Sequence, residues 1–305
     1  MPELTLIVIL GIILLGGVIG FLSGLFGVGG GFLLTPMLNI TFGIPMPVAI
    51  GSGLCQMIGT ASTAVMRHWK NTAIDVKLVG IMLGGTLVGV ELGAEILEEL
   101  KHAGVVTLLG EHVAWAWLIP MCTYIVLLLL IGITTFRESL GTHRNARITG
   151  TPQRRVGRGL LNRWHLPPMI RLAATEGTPT TLIPVILLSI VIGAMSGFLG
   201  LGGGVVIVPI LIYWVGTSTR AAVGASLLII LINAVIGTVA HALRDNVSLT
   251  LVCLLLVSST LGASLGATLH HRLKSHQVRL YLSILLFVSV VVILAKMLHR
   301  FGLIG

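Results

Sequence analysis

Apolar residues fall in long runs with almost no internal charge, and polar residues gather in the short intervals between them. The runs show no two-residue alternation of the kind a half-wet strand carries. Each approaches the ~20 residues a helix needs to cross the hydrocarbon core of a bilayer. They predict helical segments over about residues 4–26, 46–66, 76–94, 113–135, 182–199, 220–243, 249–269 and 280–297, with short apolar pieces over 32–42 and up to Trp214. The expected fold class is an all-α polytopic membrane protein of about eight segments. A membrane β-barrel needs an alternating polarity that this chain lacks.

Two of the runs are interrupted in the same way. Gly24-Leu25-Phe26-Gly27-Val28-Gly29-Gly30-Gly31, closed by Pro36, matches Gly197-Phe198-Leu199-Gly200-Leu201-Gly202-Gly203-Gly204, closed by Pro209. Glycine costs a helix about 1 kcal/mol per position relative to alanine, so consecutive glycines predict a break. In hydrocarbon the freed amides need a partner or a wet cavity. Two matched interruptions, one in each half, mark the expected binding region of a transporter.

The match is part of a longer repeat. An offset of 173 carries Gly20, Ser23, Gly24, Gly27, Gly29, Gly30, Gly31, Pro36 and Leu38 onto identical residues. Without a gap it also carries Gly51 onto Gly224, His68 onto His241, and Gly89, Gly93 and Ala94 onto Gly262, Gly266 and Ala267. The chain therefore reads as a duplicated membrane unit, with one repeat over 1–135, a linker over 136–178 and a second repeat over 179–305.

Charge sets the expected orientation. The basic turn at 67–77 and the Arg-rich linker belong at the cytoplasmic face, and the stretch with Glu95, Glu98, Glu99 and Glu111, read as a loop with a short interfacial helix over 95–99 as the alternative, falls outside. The basic turn around Arg272 belongs inside too, one crossing later than its counterpart in the first half. That fits if each Gly-broken segment is a hairpin that enters the membrane and returns, which makes the repeats an inverted pair. Lys296 and Arg300 then fall outside against the rule, and a parallel pair stays open.

Composition supports this class. Hydrophobic residues make up 55 %, charged residues 10 %, and mean hydropathy is +1.04, values foreign to a soluble domain. The formal net charge is +9, but the basic residues sit in loops, so nucleic acid is not an expected partner. The start, Met1-Pro2-Glu3-Leu4, has no basic region of the kind that precedes a cleaved signal. Cys55, Cys122 and Cys253 lie in apolar runs without metal or disulfide spacing, so neither a metal nor a cofactor is expected.

Chemistry concentrates at the breaks and on two polar faces. Glycines at a helix N-terminus let backbone amides approach an anion, so Gly29, Gly30, Gly31, Gly202, Gly203 and Gly204 are candidate donors. Close helix packing is the alternative, and it is the expectation for the spaced pairs Gly89/Gly93 and Gly262/Gly266. A phosphate loop would need a following Lys-Ser/Thr, which neither copy has.

Ser52, Gln56, Thr60, Thr63 and Arg67 share one face of the second segment; Ser226, Asn233 and His241 share one face of the sixth. Such groups either bind the oxygens of an oxyanion or join helices. Gln56 and Asn233 stand out because a buried amide has several partners to satisfy. Glu91, a carboxylate within an apolar segment, is a candidate proton carrier if buried, with a side chain reaching the headgroups from near the segment's end as the alternative. His68 and His241 titrate near neutrality and are candidates for coupling or gating, with packing at a helix end as the alternative. Arg67 and Arg244 are candidates for drawing an anion to the two mouths, although topology alone explains Arg67. No serine elbow, HExxH motif or pair of carboxylates in one segment is present, so an enzyme is not expected.

The duplicated Gly24-x-x-Gly27-x-Gly29-Gly30-Gly31 run with its proline, continuing through Gly51 and Gly224 to the paired GxxxGA ends, resembles the sulfite exporter TauE/SafE family of membrane permeases. The likeness covers nearly the whole chain except the Arg-rich linker, which is less typical of that family. It implies a cell-membrane permease for small sulfur-containing anions such as sulfite, sulfoacetate or related organosulfonates, exporting them by a secondary mechanism. The resulting expectation is a secondary transporter working by alternating access, with a small anion and the lipid bilayer as partners. An anion channel, or an importer of a small carboxylate or sulfur oxyanion, is the alternative. The oligomeric state is left open.

Overall fold

The computed structural model describes residues 5–26, 29–68, 75–108, 111–149, 168–171, 174, 179–270 and 275–301. The helices are α1 Leu6–Phe26, α2 Gly31–Phe42, α3 Met46–His68, α4 Val76–His102, α5 Trp115–Thr149, α6 Leu182–Leu199, α7 Gly204–Ile210, α8 Thr219–Ala242, α9 Leu249–His270 and α10 Ser275–Arg300. A π-helical turn, Leu211–Val215, extends α7. Two short antiparallel hairpins complete the described chain: β1 Val105–Leu108 with β2 Glu111–Ala114, and β3 Met169–Arg171 with β4 Pro179–Thr181. Eight of the helices contain a stretch long and apolar enough to span a membrane. The protein is an all-α multi-pass membrane protein.

Two boundaries differ from expectation. The third segment continues to His102, so Glu95, Glu98 and Glu99 occupy the last turns of α4 rather than a loop. Those turns join charged residues at i,i+3 and i,i+4 spacing: Lys101 Nζ lies 3.0 Å and His102 Nε2 3.2 Å from Glu98 Oε1. The fourth segment likewise continues as one helix to Thr149, across the expected linker boundary, although its apolar part ends at Arg137. Most of the expected linker lies outside the described residues.

Small residues decide which helices meet. α1 packs along α9, and α6 along α4, so each repeat lends its first helix to the other. A Cβ at Gly24 would stand 2.8 Å from Ala263 Cα, one at Gly266 2.8 Å from Leu25 N, and one at Gly93 2.7 Å from Phe198 N. The interfaces are backbone on backbone, which the GxxxG spacing permits. The repeat is obeyed in detail: Gly16 meets Ser258, and their offset mates Ser189 and Gly85 meet each other.

The same contacts orient the repeats. Gly16 lies by Leu255 and Gly24 by Ala263, so α1 and α9 run parallel. α3 faces its own mate α8, with Gly51 at His241 and Leu54 at Gly237, so that pair is antiparallel. α5 faces its mate α10 in the same sense: Arg300 stacks over Trp117 at 4.4 Å, while Phe136 meets Phe287 edge-on at 6.1 Å. A two-fold axis that makes mates antiparallel lies across the helices, and so in the membrane plane. The repeats are therefore inverted. The C-terminal ends of α3, α5 and α9 share one face; those of α4, α8 and α10 share the other.

Each break is the tip of a re-entrant hairpin. α2 doubles back along α1, with Gly30 at Ile19 and Ser23 and Phe42 at Gly11. At 12 residues α2 is about 18 Å long, roughly half the bilayer. It starts beside Met57, in the middle of α3, and runs back toward the start of that helix, with Thr35 near Gly53. Because the repeats are inverted, the two hairpins enter from opposite faces.

Candidate functional site

The glycine runs are helix breaks with left-handed backbone. Gly29 has φ 82° and Gly30, the N-cap of α2, φ 75°; Gly202 has φ 62° and Gly203, the N-cap of α7, φ 86°. L-residues other than glycine rarely adopt this region. The first amides of α2 and α7 therefore open a helix at mid-depth without intrahelical partners. The two tips touch: Gly31 meets the Gly200 carbonyl, and a Cβ on Gly31 would stand 3.3 Å from Leu201 C. The side chains against both tips are Met57 and Ile230.

The polar face of α3 is buried as the spacing requires, but most of its hydrogen-bonding capacity is used. Ser52 Oγ accepts the Ser248 amide at 3.0 Å. Gln56 Nε2 donates to Ser259 Oγ at 2.5 Å, leaving Gln56 Oε1 without a partner among the described residues. The Thr60 hydroxyl donates to the Met57 carbonyl at 3.2 Å. On α8, the Ser226 hydroxyl donates to the Val223 carbonyl at 2.8 Å. Asn233 is the exception: it is fully buried, and neither Oδ1 nor Nδ2 has a partner among the described residues. It lies on the α8 face that carries Ile230 and Gly237, one turn along the helix from Ile230, which faces the breaks, and it is the offset mate of Thr60. A buried amide left open in this way costs about 1–3 kcal/mol.

The remaining expected residues divide. Glu91 is not buried: its side chain is 53 % exposed and pairs with Arg244 at 2.5 Å, tying α4 of the first repeat to the end of α8 of the second. The buried carboxylate expected for a proton carrier is not there, because Glu91 lies on the outward face of α4 with Val88 and Leu92, while Gly89 and Gly93 make the contact with α6. His241 sits in the last turn of α8, the helix end expected for it, and is fully buried there, with Nε2 2.8 Å from the Gly197 carbonyl. The backbones of Arg67 and His68 end α3, and their side chains lie outside the described residues.

Several residues escaped the sequence reading. Ser259 holds Gln56, and the next residue, Thr260, is half-buried with its hydroxyl covered and unpartnered among the described residues. The run Ser258-Ser259-Thr260 inside an apolar segment was the available signal. Tyr124 donates its hydroxyl to the Leu199 carbonyl at the end of α6, and no pattern announced it. Asp75 caps α4 by accepting the Lys77 and Leu78 amides at 3.0 and 3.2 Å, and it also accepts the Ala174 amide at 2.8 Å. Asn246 extends the Arg244 contact, donating to Glu98 at 3.1 Å and accepting from Lys101 at 3.2 Å. Among the described residues no lysine or arginine is buried. What the site can offer an anion is therefore neutral: backbone amides and side-chain hydrogen bonds, in a low dielectric where such donors are strengthened.

Comparison with known proteins agrees with this architecture. The family model described as sulfite exporter TauE/SafE matches residues 12–293. A protein of Xylella fastidiosa (strain Temecula1) named "Probable membrane transporter protein" is 28 % identical over 85 % of this chain and 84 % of its own length. The Bacillus subtilis "Probable membrane transporter protein YjnA" is 27 % identical over 91 % of this chain and 96 % of its own. A relative of the same printed description from Methanocaldococcus jannaschii is 23 % identical over 90 % and 91 %. No solved structure matches the chain.

Proposed function

The chain belongs to the sulfite exporter TauE/SafE family, and from that premise we propose that this membrane transporter carries small sulfur-containing anions, such as sulfite, sulfoacetate or related sulfonates, out of the cell. The anion binds where the two hairpin tips meet. Gly29, Gly30, Gly31, Gly202, Gly203 and Gly204 supply the backbone donors, and Asn233 and Gln56 supply the side-chain contacts. Ser52, Thr60 and Ser226 lie on the same helix faces and complete the polar lining. The single observation that carries this reading is the fully buried Asn233 amide, without a partner among the described residues, one turn along α8 from Ile230, which faces two touching, inverted helix breaks.

Alternating access follows from the exchange of first helices. As α1–α2 rocks with α9 against α6–α7 with α4, one hairpin tip opens to its own face while the other stays sealed. With the basic ends of α3, α5 and α9 on the cytoplasmic side, the α4 and α8 ends face outward. The cluster of Glu91, Arg244, Glu98, Asn246 and Lys101 then closes the outer mouth. Expelling an anion against a negative interior is favourable by about 2.3 kcal/mol per charge per 100 mV, so no coupling ion is required.

The test is thermal stabilisation of the purified protein by sulfite, sulfoacetate, taurine and sulfate, with Gln56→Ala and Asn233→Ala alongside. A shift with one sulfur oxyanion, lost in both variants, supports the site and its substrate class. An equal shift in the variants moves the site elsewhere.

A further inference from the structure

Resting on the transport reading above, we propose that Met57 and Ile230 form the plug that closes the path between the two hairpin tips, and that Met57 is its moving half. The two residues are offset mates on α3 and α8, both 0 % exposed. The same methyl groups face both breaks. A Cβ on Gly29 would stand 2.8 Å from Met57 Cε and 3.3 Å from Ile230 Cγ2. A Cβ on Gly202 would overlap Met57 Cε and stand 3.2 Å from Ile230 Cγ2. Met57 also packs its sulfur against Gly31, where a Cβ would be 2.6 Å from Sδ. A solute passing from one tip to the other meets these two side chains.

Their surroundings give the plug its meaning. Gln56 precedes Met57, while Thr60 and Asn233 stand one turn beyond Met57 and Ile230. An apolar island among polar positions excludes water and ions by dewetting, as hydrophobic constrictions do in channels. The missing side chains at Gly29 and Gly202 leave the seat that Met57 Cε fills.

The mates differ in stiffness. Isoleucine is β-branched and held at χ1. Methionine is unbranched, with three rotatable bonds and a soft sulfur, so it can leave its seat without moving the backbone. The path therefore opens on the Met57 side.

The experiment uses the full chain in proteoliposomes. Wild type, Met57→Ala, Ile230→Ala, Met57→Leu and Met57→Ile are compared for thiocyanate leak under a potassium diffusion potential and for sulfite counterflow. Met57→Ala and Ile230→Ala are expected to raise the leak about tenfold or more, because the dewetted constriction is gone. Met57→Leu stays tight and active, and Met57→Ile stays tight but turns over several times more slowly. Alanine variants that elute like wild type and remain tight to thiocyanate overturn the plug. If Met57→Ala does not fold, Met57→Val and Ile230→Ala carry the same decision. Leaking variants of a wild type that moves no sulfur oxyanion keep the plug and remove the substrate reading. Sulfite counterflow in wild type with tight alanine variants does the reverse.

Discussion

Glu91 on α4 and Arg244 beyond α8 are held 2.5 Å apart, and their offset mates, Ser264 and Asn71, cannot form an ion pair. The bond joins the two halves through residue types that the repeat does not duplicate. Closure at that face therefore has an electrostatic component.

Because Glu91 is about half exposed, breaking the pair costs little folding stability, under about 1 kcal/mol. Glu91→Gln is expected to leave the thermal midpoint almost unchanged while weakening closure. Raising salt from low to molar concentration should mimic the substitution in wild type and have little effect on the variant, because screening acts on the same bond. Counterflow measured across a salt series checks this.

Asn233→Leu separates stability from binding. The amide has no partner among the described residues, so its removal relieves a desolvation cost of about 1–3 kcal/mol, and the variant should be as stable as wild type or more so. It should also lose any sulfonate-induced thermal shift. A drop in stability of more than about 1 kcal/mol would mean that the amide is a structural bond and not a binding group.

The glycines are expected to fall into three groups in an alanine series read by thermal unfolding. Gly30→Ala and Gly203→Ala force a side chain into left-handed backbone and cost about 1–2 kcal/mol each. Gly93→Ala drives α4 into the α6 backbone and costs about 3 kcal/mol. Gly80→Ala, on an exposed face of α4 with open space around its position, gains up to about 1 kcal/mol of helix propensity.

Asp75 performs two tasks that a pair of substitutions can divide. Asp75→Ser keeps a cap for the α4 amides and loses the bond to Ala174, whereas Asp75→Ala loses both. The cap is worth about 1 kcal/mol, so Asp75→Ala should be the less stable of the two by about that amount. Equal stability would leave the cap without weight.

The eight spans, the two helix breaks and the duplication were legible in the sequence because each has a local cause. Run length reports a span, three glycines report a break, and an offset held over the chain reports a repeat. The opposite orientation of the repeats was half legible through loop charge; the antiparallel meeting of α5 with α10 settled it. At the candidate site the sequence marked the helix faces, since Ser52, Gln56 and Thr60 recur at helical spacing, as do Ser226 and Asn233.

Only the tertiary structure decided which groups on those faces are used up and which are open. Gln56 is held by Ser259, Ser52 by the Ser248 amide, and Asn233 by nothing described. It also decided that α1 serves the second repeat, that Glu91 pairs outside the packed interface, and that Met57 and Ile230 lie against both tips. The reason is physical. In water, the apolar side of a helix is the buried side, so pattern reveals packing. In lipid, both sides are apolar, and helices choose neighbours by fit between small residues and by hydrogen bonds across the chain. Those choices depend on partners about 200 residues apart, as with Gln56 and Ser259, and no local stretch contains them.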